Sequence, residues 1–117
     1  MSRKELNQAT IVGRAGRDPE LKYFESGASK ASFSLAVNRP TKNKETDWFD
    51  ITLWGRSAEI AGEYVRKGSL VGIVGQLDWE SWNDKNSGDL VVKPVINGQE
   101  LRLLGSKADN NPNFANN

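Results

Sequence analysis

The sequence contains no cysteine and no histidine among its 117 residues. Without cysteine there is no disulfide framework, no thiolate metal site and no cysteine nucleophile. Without histidine, the chain also lacks the commonest general base and the commonest metal ligand. These absences argue against an enzyme, and we expect no catalytic residue, no metal site and no cofactor.

Long apolar runs and a strong excess of one charge are also lacking. No segment approaches the length that spans a bilayer, and residues 1–6 do not form an apolar signal segment. We therefore expect a cytoplasmic protein without a membrane partner. With 16 lysines and arginines against 15 aspartates and glutamates, the net charge is +1. Bulk charge therefore does not indicate a nucleic-acid partner, and such a partner must be argued from local features.

The most informative feature present is a pair of tryptophans on the polar side of a predicted strand. Side chains alternate between the two faces of a strand. One face is apolar and is predicted to be core: Phe49, Ile51 and Leu53. The opposite face is otherwise polar and carries Trp48 and Trp54. Aromatic rings on such a face are typical of platforms on which nucleic-acid bases stack; the alternative is packing beneath a loop or at a subunit contact.

Short β-branched runs separated by turn residues predict an all-β domain. Further strands are predicted at 10–14, 21–24, 31–37, 70–82, 90–96 and 101–104. The last two are separated by Asn97-Gly98, the strongest short hairpin signal. Apolar residues at helical spacing predict one helix over 57–67, ended by Gly68. Because a small open sheet leaves its edges exposed, the pattern favours an OB-fold, a five-stranded Greek-key barrel, with the helix between the third and fourth strands.

Ordered segments along almost the whole domain resemble the bacterial-type single-stranded DNA-binding proteins. The resemblance covers about residues 6–105, and its segments are 6–19, 46–49, 53–56, 58–69, 75–77, 82 and 103–105. One such segment would be weak, whereas the ordered set is specific, and it is similar to cyanobacterial and plastid-lineage members. The resemblance implies an OB fold, a homotetramer, and sequence-tolerant binding of single-stranded DNA in replication, repair and recombination. We expect one domain over 1–105 and a short disordered polar tail over 106–117.

Carried over position by position, the resemblance also implies binding residues. It places base-stacking aromatics at Trp48, Trp54 and Trp82, although a phenylalanine is more usual at the position of Trp54. It matches commonly basic positions of the family to Arg14, Arg56, Arg66 and Lys67. A basic loop before the tryptophan strand adds three expected phosphate contacts: Arg39, Lys42 and Lys44.

The chain departs from the family pattern in its groove residues. The stretch 38–41 lacks an aromatic that the family usually offers after the preceding strand. Three acidic residues stand where many members are basic: Asp50, Asp78 and Glu80. If these carboxylates face the groove they repel phosphates. We therefore expect weaker binding and a shallower salt dependence than in a strongly basic relative.

Other departures concern partners. Phe49 replaces a more polar residue common at a subunit contact, so Phe49 and the strand starting at Thr10 are interface candidates. The family's acidic C-terminal tip, which recruits replication and repair proteins, has no counterpart, since no carboxylate follows Asp109. Recruitment of such proteins through a tail is therefore not expected.

Several assignments stay open at this stage. Trp79 has the apolar parity of Leu77, which favours a core or interface role, and Tyr64 lies on the apolar side of the predicted helix, which favours packing. For Tyr23 and Phe24 the sequence does not separate core from surface. The alternative function is an OB-fold paralogue that acts as a protein-interaction, assembly or replication-restart accessory module with weak nucleic-acid binding. DNA and RNA are not distinguished, because bases of both stack on aromatic rings.

Overall fold

Six strands and one helix make up the part of the chain that the computed structural model describes, residues 7–40, 42–43 and 45–105. The strands are β1 (Ala9–Ala15), β2 (Glu20–Tyr23), β3 (Ser29–Asn38), β4 (Thr46–Trp54), β5 (Leu70–Asn83) and β6 (Leu90–Leu103). Helix α1 (Gly55–Tyr64) lies between β4 and β5. Over these residues there is no helix with the length and apolar character needed to cross a membrane. The predicted tail, 106–117, and Lys44 lie outside the described residues.

The sheet closes on itself like a ring. Its strand order is β1-β5-β6-β4-β3-β2, and an additional pairing of β1 with β3 completes the closure. Neighbouring strands run antiparallel except β4 and β6, which are parallel. The predicted all-β OB fold is confirmed, and the helix follows the third long strand as expected. The described sheet has one strand more than the five predicted, because the short β2 also pairs with β3.

The core lies on the faces that strand alternation predicted. Phe33 and Leu35 of β3 are at most 1% exposed, as are Ile51 and Leu53 of β4. Phe49 is partly buried against this core. The helix and the residue that follows it contribute further buried side chains: Ala58, Ala61 and Val65. One face of β3 and one face of β4 are therefore committed to the core.

The helix is shorter than predicted at its C-terminal end. It ends at Tyr64 rather than Lys67, because Val65 takes an extended conformation (φ −85°, ψ 132°) and buries its side chain. Arg66 lies beyond the helix, where its guanidinium donates to the carbonyl oxygens of Gly62 and Val65 at 3.0 and 2.7 Å. These carbonyls belong to a helix end that needs donors. The predicted packing of Tyr64 is wrong, since its side chain is exposed.

The predicted hairpin at Asn97-Gly98 is also wrong. The strand β6 runs through both residues, which pair with Thr52 and Leu53 of β4 in parallel register. A Cβ at Gly98 would lie 2.4 Å from the Leu53 Cδ2 atom, so the glycine permits close packing rather than a turn. The pairing of β5 with β6 shifts register at this point. The glycine therefore marks a bulge where β6 contacts two partners.

The actual hairpin joins β5 to β6 through residues 84–89. Its loop is held by a hydrogen bond from the Gly88 N–H to the Asp84 carbonyl oxygen at 2.8 Å. Among the described pairings, residues 77–83 of β5 pair only with β6, and residues 90–95 of β6 pair only with β5. They extend past the closed sheet as a two-stranded segment, which we call the ribbon. Except for Val95, which is 5% exposed, the side chains of the ribbon are at least partly exposed.

Candidate nucleic-acid interface

Trp48, Trp54 and Trp82 lie on one face of the sheet, which we call the tryptophan face. Residues paired across strands share a face, and Thr52 of β4 pairs with Asn97 of β6. Because side chains alternate along a strand, Trp48 and Trp54 lie on the same face of β4 as Thr52. Trp82 lies on this face too, because it pairs with Val91, which has the same parity as Asn97 along β6. The three tryptophans are 61%, 44% and 46% exposed. Their rings therefore present surface on which a planar ligand can stack.

The ring of Trp48 lies close to the backbone of Gly16, where a side chain would overlap it. A Cβ at Gly16 would lie 2.5 Å from the Trp48 Cζ3 atom and 2.8 Å from the Ser34 Oγ atom. Trp48 pairs with Ala36, which also pairs with Arg14, so Arg14 lies on the same face two strands away. The Arg14 guanidinium donates to the Gly68 carbonyl oxygen at 3.1 Å.

Replacing Gly16 with alanine should displace the Trp48 ring, because the added methyl overlaps it. We expect the indole N–H resonance of Trp48 to move most in a ¹⁵N correlation spectrum of Gly16→Ala, with Trp82 as the internal reference. The Trp48 signal is assigned by its loss in Trp48→Phe. An unmoved Trp48 signal in a folded Gly16→Ala protein would show that the ring does not rest on this glycine.

Trp54 forms part of an aromatic and cationic cluster. Its ring stacks on Phe24 with centroids 6.0 Å apart and an interplanar angle of 25°. The Lys30 ammonium lies 5.6 Å from the Trp54 centroid, and the Lys22 ammonium lies 5.9 Å from the Phe24 centroid. Phe24, whose environment the sequence left open, therefore belongs to this exposed surface. Cations beside aromatic rings are the combination that single-stranded nucleic acids require.

A shallow groove of about 230 Å³ separates the end of β4 from the ribbon. Its walls are formed by Thr52, Trp54, Asp78, Trp79, Glu80, Val95 and Asn97. The Asn97 amide donates to the Asp78 carboxylate at 3.0 Å. Trp54 thus stands at the wall of a groove whose lining combines aromatic, aliphatic and polar side chains.

The three acidic residues that depart from the family pattern lie on the tryptophan face, and each has a partner there. Asp78 accepts from the Asn97 amide, as described. The Glu80 carboxylate lies 3.8 Å from the Lys30 ammonium. The Asp50 carboxylate lies 3.1 Å from the Lys93 ammonium. Together these residues place three carboxylates against two ammonium groups, so they give this part of the tryptophan face no positive excess.

Sequence reasoning missed Lys30 and Lys93 as candidate binding residues. Lys30 pairs with Trp54 across β3 and β4, and the Lys93 ammonium lies 5.9 Å from the centroid of the Trp82 ring. Alternation along β3 places Lys30 on the outer face, which was available from the sequence. What the sequence lacked was the register between strands, which alone places each lysine beside its tryptophan.

The predicted basic residues of the loop before β4 differ in their availability. Arg39 donates to both oxygens of Asp47 at 2.8–3.0 Å and to Glu45 at 2.7 Å. These hydrogen bonds hold the pKa of the Asp47 carboxyl below its ordinary value, and the same contact raises the pKa of Arg39. Lys42 is exposed. Arg39 is therefore already paired with carboxylates, so a phosphate contact would require it to exchange partners.

The basic residues around α1 lie apart from the groove lining. Arg56 is exposed at the start of the helix, with its guanidinium 3.8 Å from Glu59. The Arg66 guanidinium is committed to backbone carbonyl oxygens. Lys67 is exposed, and its backbone N–H donates to Asp18 Oδ1 at 2.8 Å. Lys30 and Lys93 instead line a smaller pocket of about 80 Å³, together with Arg17, Asp50 and Glu80.

Trp79 lies on the opposite face of the ribbon. It shares the parity of Leu77, as predicted, but it is 65% exposed, so a core role within one chain is wrong. A second pocket of about 430 Å³ is lined by Trp79, Leu77, Phe49 and Pro94, and also by Trp48, Asp50 and Lys93 of the tryptophan face. An interface role for Trp79 stays a prediction. Among the described residues, no three acidic side chains converge in a way that could hold a metal ion.

The chain is similar to known proteins over almost its whole length. The sequence pattern of the Single-strand binding protein family matches residues 6–104. The Single-stranded DNA-binding protein 1 of Synechocystis sp. is 58% identical over 107 residues, which cover 90% of this chain and 88% of that protein. A protein of the same name from Nostoc sp. is 53% identical, with 89% and 87% covered. The Single-stranded DNA-binding protein of Thermosynechococcus vestitus is 47% identical, with 92% and 90% covered.

Proposed function

This chain belongs to the single-strand binding protein family, and from that membership we propose that it binds single-stranded DNA by stacking bases on Trp48, Trp54 and Trp82. In this proposal the phosphates are contacted by Lys30 and Lys93 of the tryptophan face and by the exposed arginines Arg14, Arg39 and Arg56. The relatives are named as binding proteins rather than as enzymes, and the protein is not an enzyme. In this function it protects single strands during replication, repair and recombination at the cytoplasmic nucleoid.

The observation that carries this proposal is three half-exposed tryptophans on one sheet face beside lysine ammonium groups. Each base stacked on an aromatic side chain contributes about 1–3 kcal/mol, whatever its sequence, because every base has a π-face. Phosphate contacts add affinity that depends on salt. Three stacking rings on one continuous face support binding that tolerates sequence, since no donor or acceptor pattern has to be matched.

The proposed assembly is a homotetramer. The number of copies is what the family resemblance implies. Self-association is supported by the apolar surface that one chain leaves uncovered, on the ribbon face opposite the tryptophans: Leu77, Trp79, Leu90 and Val92. Large exposed apolar patches mark sites of protein association. Light scattering gives the number of copies directly, by comparison with the 13.0 kDa of one chain.

The test of DNA binding is a titration of the purified protein with oligo-dT at two salt concentrations, followed by tryptophan fluorescence. We expect saturable quenching that weakens at the higher salt, because stacking quenches the indoles and salt competes for phosphate contacts. A parallel titration with oligo-U measures the preference for DNA over RNA. A folded protein with no quenching at low salt would contradict the proposal and favour a protein partner on the tryptophan face.

A further inference from the structure

An ion pair between β3 and the ribbon holds a lysine against Trp54. The Lys30 ammonium lies 3.8 Å from Glu80 Oε2 and 5.6 Å from the centroid of the Trp54 ring. The two charged side chains are 27% and 37% exposed. Lys30 therefore occupies space over a ring that is available for stacking, and a carboxylate from the other wall of the groove keeps it there.

A second ion pair lies beside the first, because Lys93 pairs with Glu80 across β5 and β6. The Lys93 ammonium lies 3.1 Å from Asp50 Oδ2 and 5.9 Å from the centroid of the Trp82 ring. These side chains are 40% and 45% exposed. Lys30–Glu80 and Lys93–Asp50 are called the groove ion pairs below. Each joins one carboxylate, one ammonium and one tryptophan.

We propose that Glu80 and Asp50 stand in for DNA phosphates in the free protein, and that Lys30 and Lys93 exchange these carboxylates for phosphates when a strand binds. The proposal rests on the single-stranded DNA binding proposed above. Under this proposal, Lys30 and Lys93 are DNA-binding residues in addition to those that the sequence indicated. Glu80 and Asp50 compete with DNA phosphates for these lysines, and this competition sets the affinity for DNA and its dependence on salt.

The geometry supports exchange rather than simple addition. A base that stacks on the covered face of Trp54 takes the place of the Lys30 ammonium, and the strand's own phosphates are the nearest new anions. Since one ion pair is lost for each one gained, a lysine that starts in a pair adds less affinity than an unpaired lysine. The released carboxylate then holds a cation from solution, which lowers the net number of ions released on binding.

The test compares Asp50→Asn and Glu80→Gln with a control that changes charge equally elsewhere. Glu100→Gln is that control, because Glu100 is also an exposed carboxylate in an ion pair, with Arg102. Each groove variant should bind oligo-dT about two- to fivefold more tightly, which is the range expected for an exposed ion pair. Each should also show a steeper salt dependence, while Glu100→Gln stays close to the unsubstituted protein.

A double-mutant cycle separates exchange from general repulsion. If Lys93 leaves Asp50 on binding, Lys93→Gln should cost about two- to fivefold more affinity in the Asp50→Asn protein than in the unsubstituted one. An equal cost in both backgrounds, or an Asp50→Asn effect no larger than that of Glu100→Gln, overturns the exchange. The unsubstituted protein reports separately on DNA binding: if it binds and the cycle is additive, only the exchange fails.

Discussion

Replacing Trp54 with alanine should weaken the binding of oligo-dT by on the order of tenfold or more, since one stacked base contributes about 1–3 kcal/mol. Trp54 is singled out among the three tryptophans because its ring is already held, with Phe24 at 6.0 Å and the Lys30 ammonium at 5.6 Å. A ring that is fixed before binding loses little side-chain entropy when a base stacks on it. Fluorescence anisotropy of labelled oligo-dT measures the loss without relying on the tryptophan that was removed.

Two further variants make this result specific. Trp54→Phe keeps an aromatic platform, and we expect it to retain most of the affinity. Tyr64→Ala removes another exposed aromatic side chain, on α1, and should leave affinity unchanged. If Trp54→Ala bound as tightly as Tyr64→Ala, with both proteins folded by circular dichroism, stacking on Trp54 would be excluded as a source of affinity.

The residues of the core and of the tryptophan face could be predicted because both follow from alternation within single strands. Ile51 and Leu53 are buried and Trp54 is exposed, as a period of two along β4 requires. Alternation also places Trp79 correctly on the same face as Leu77. The expectation that Trp79 is buried within one chain is wrong, because nothing in the local sequence shows that β5 continues past the closed sheet into the ribbon.

Contacts between strands could not be predicted in this way. The pairing of Lys30 with Trp54 depends on the register of β3 against β4, and the contact of Lys93 with Asp50 depends on where the ribbon runs. Asn97-Gly98 shows the same limit of local prediction. The dipeptide is typical of a turn, but here the glycine permits the close approach of Leu53, and the local sequence does not distinguish the two uses. The candidate site is therefore only partly encoded in local patterns, and its lysines and paired carboxylates emerge from the fold.

Replacing Gly75 with alanine should destabilise the fold by about 3 kcal/mol, the upper part of the usual range for overpacking. A Cβ at Gly75 would lie 2.2 Å from the Asn97 carbonyl oxygen and 2.8 Å from the Gly98 Cα atom. These are backbone atoms of the neighbouring strand, so no side-chain rotation relieves the overlap. The site coincides with the register shift between Val74 and Gly75, as expected of a glycine that permits a bulge.

Gly72→Ala is the matched control, because it adds the same methyl group to the same strand. There the nearest atom is Leu104 Cδ1 at 3.2 Å, the tip of a flexible side chain, so we expect a cost below about 1 kcal/mol. Urea unfolding of both variants at one protein concentration gives the comparison, since subunit association would make apparent stability depend on concentration. Equal unfolding midpoints would show that β5 and β6 do not approach as closely as described. The register shift at Gly75 lies just before the ribbon that carries Glu80 and Trp82. We therefore expect the Gly75→Ala protein that remains folded to bind oligo-dT less tightly than the Gly72→Ala protein.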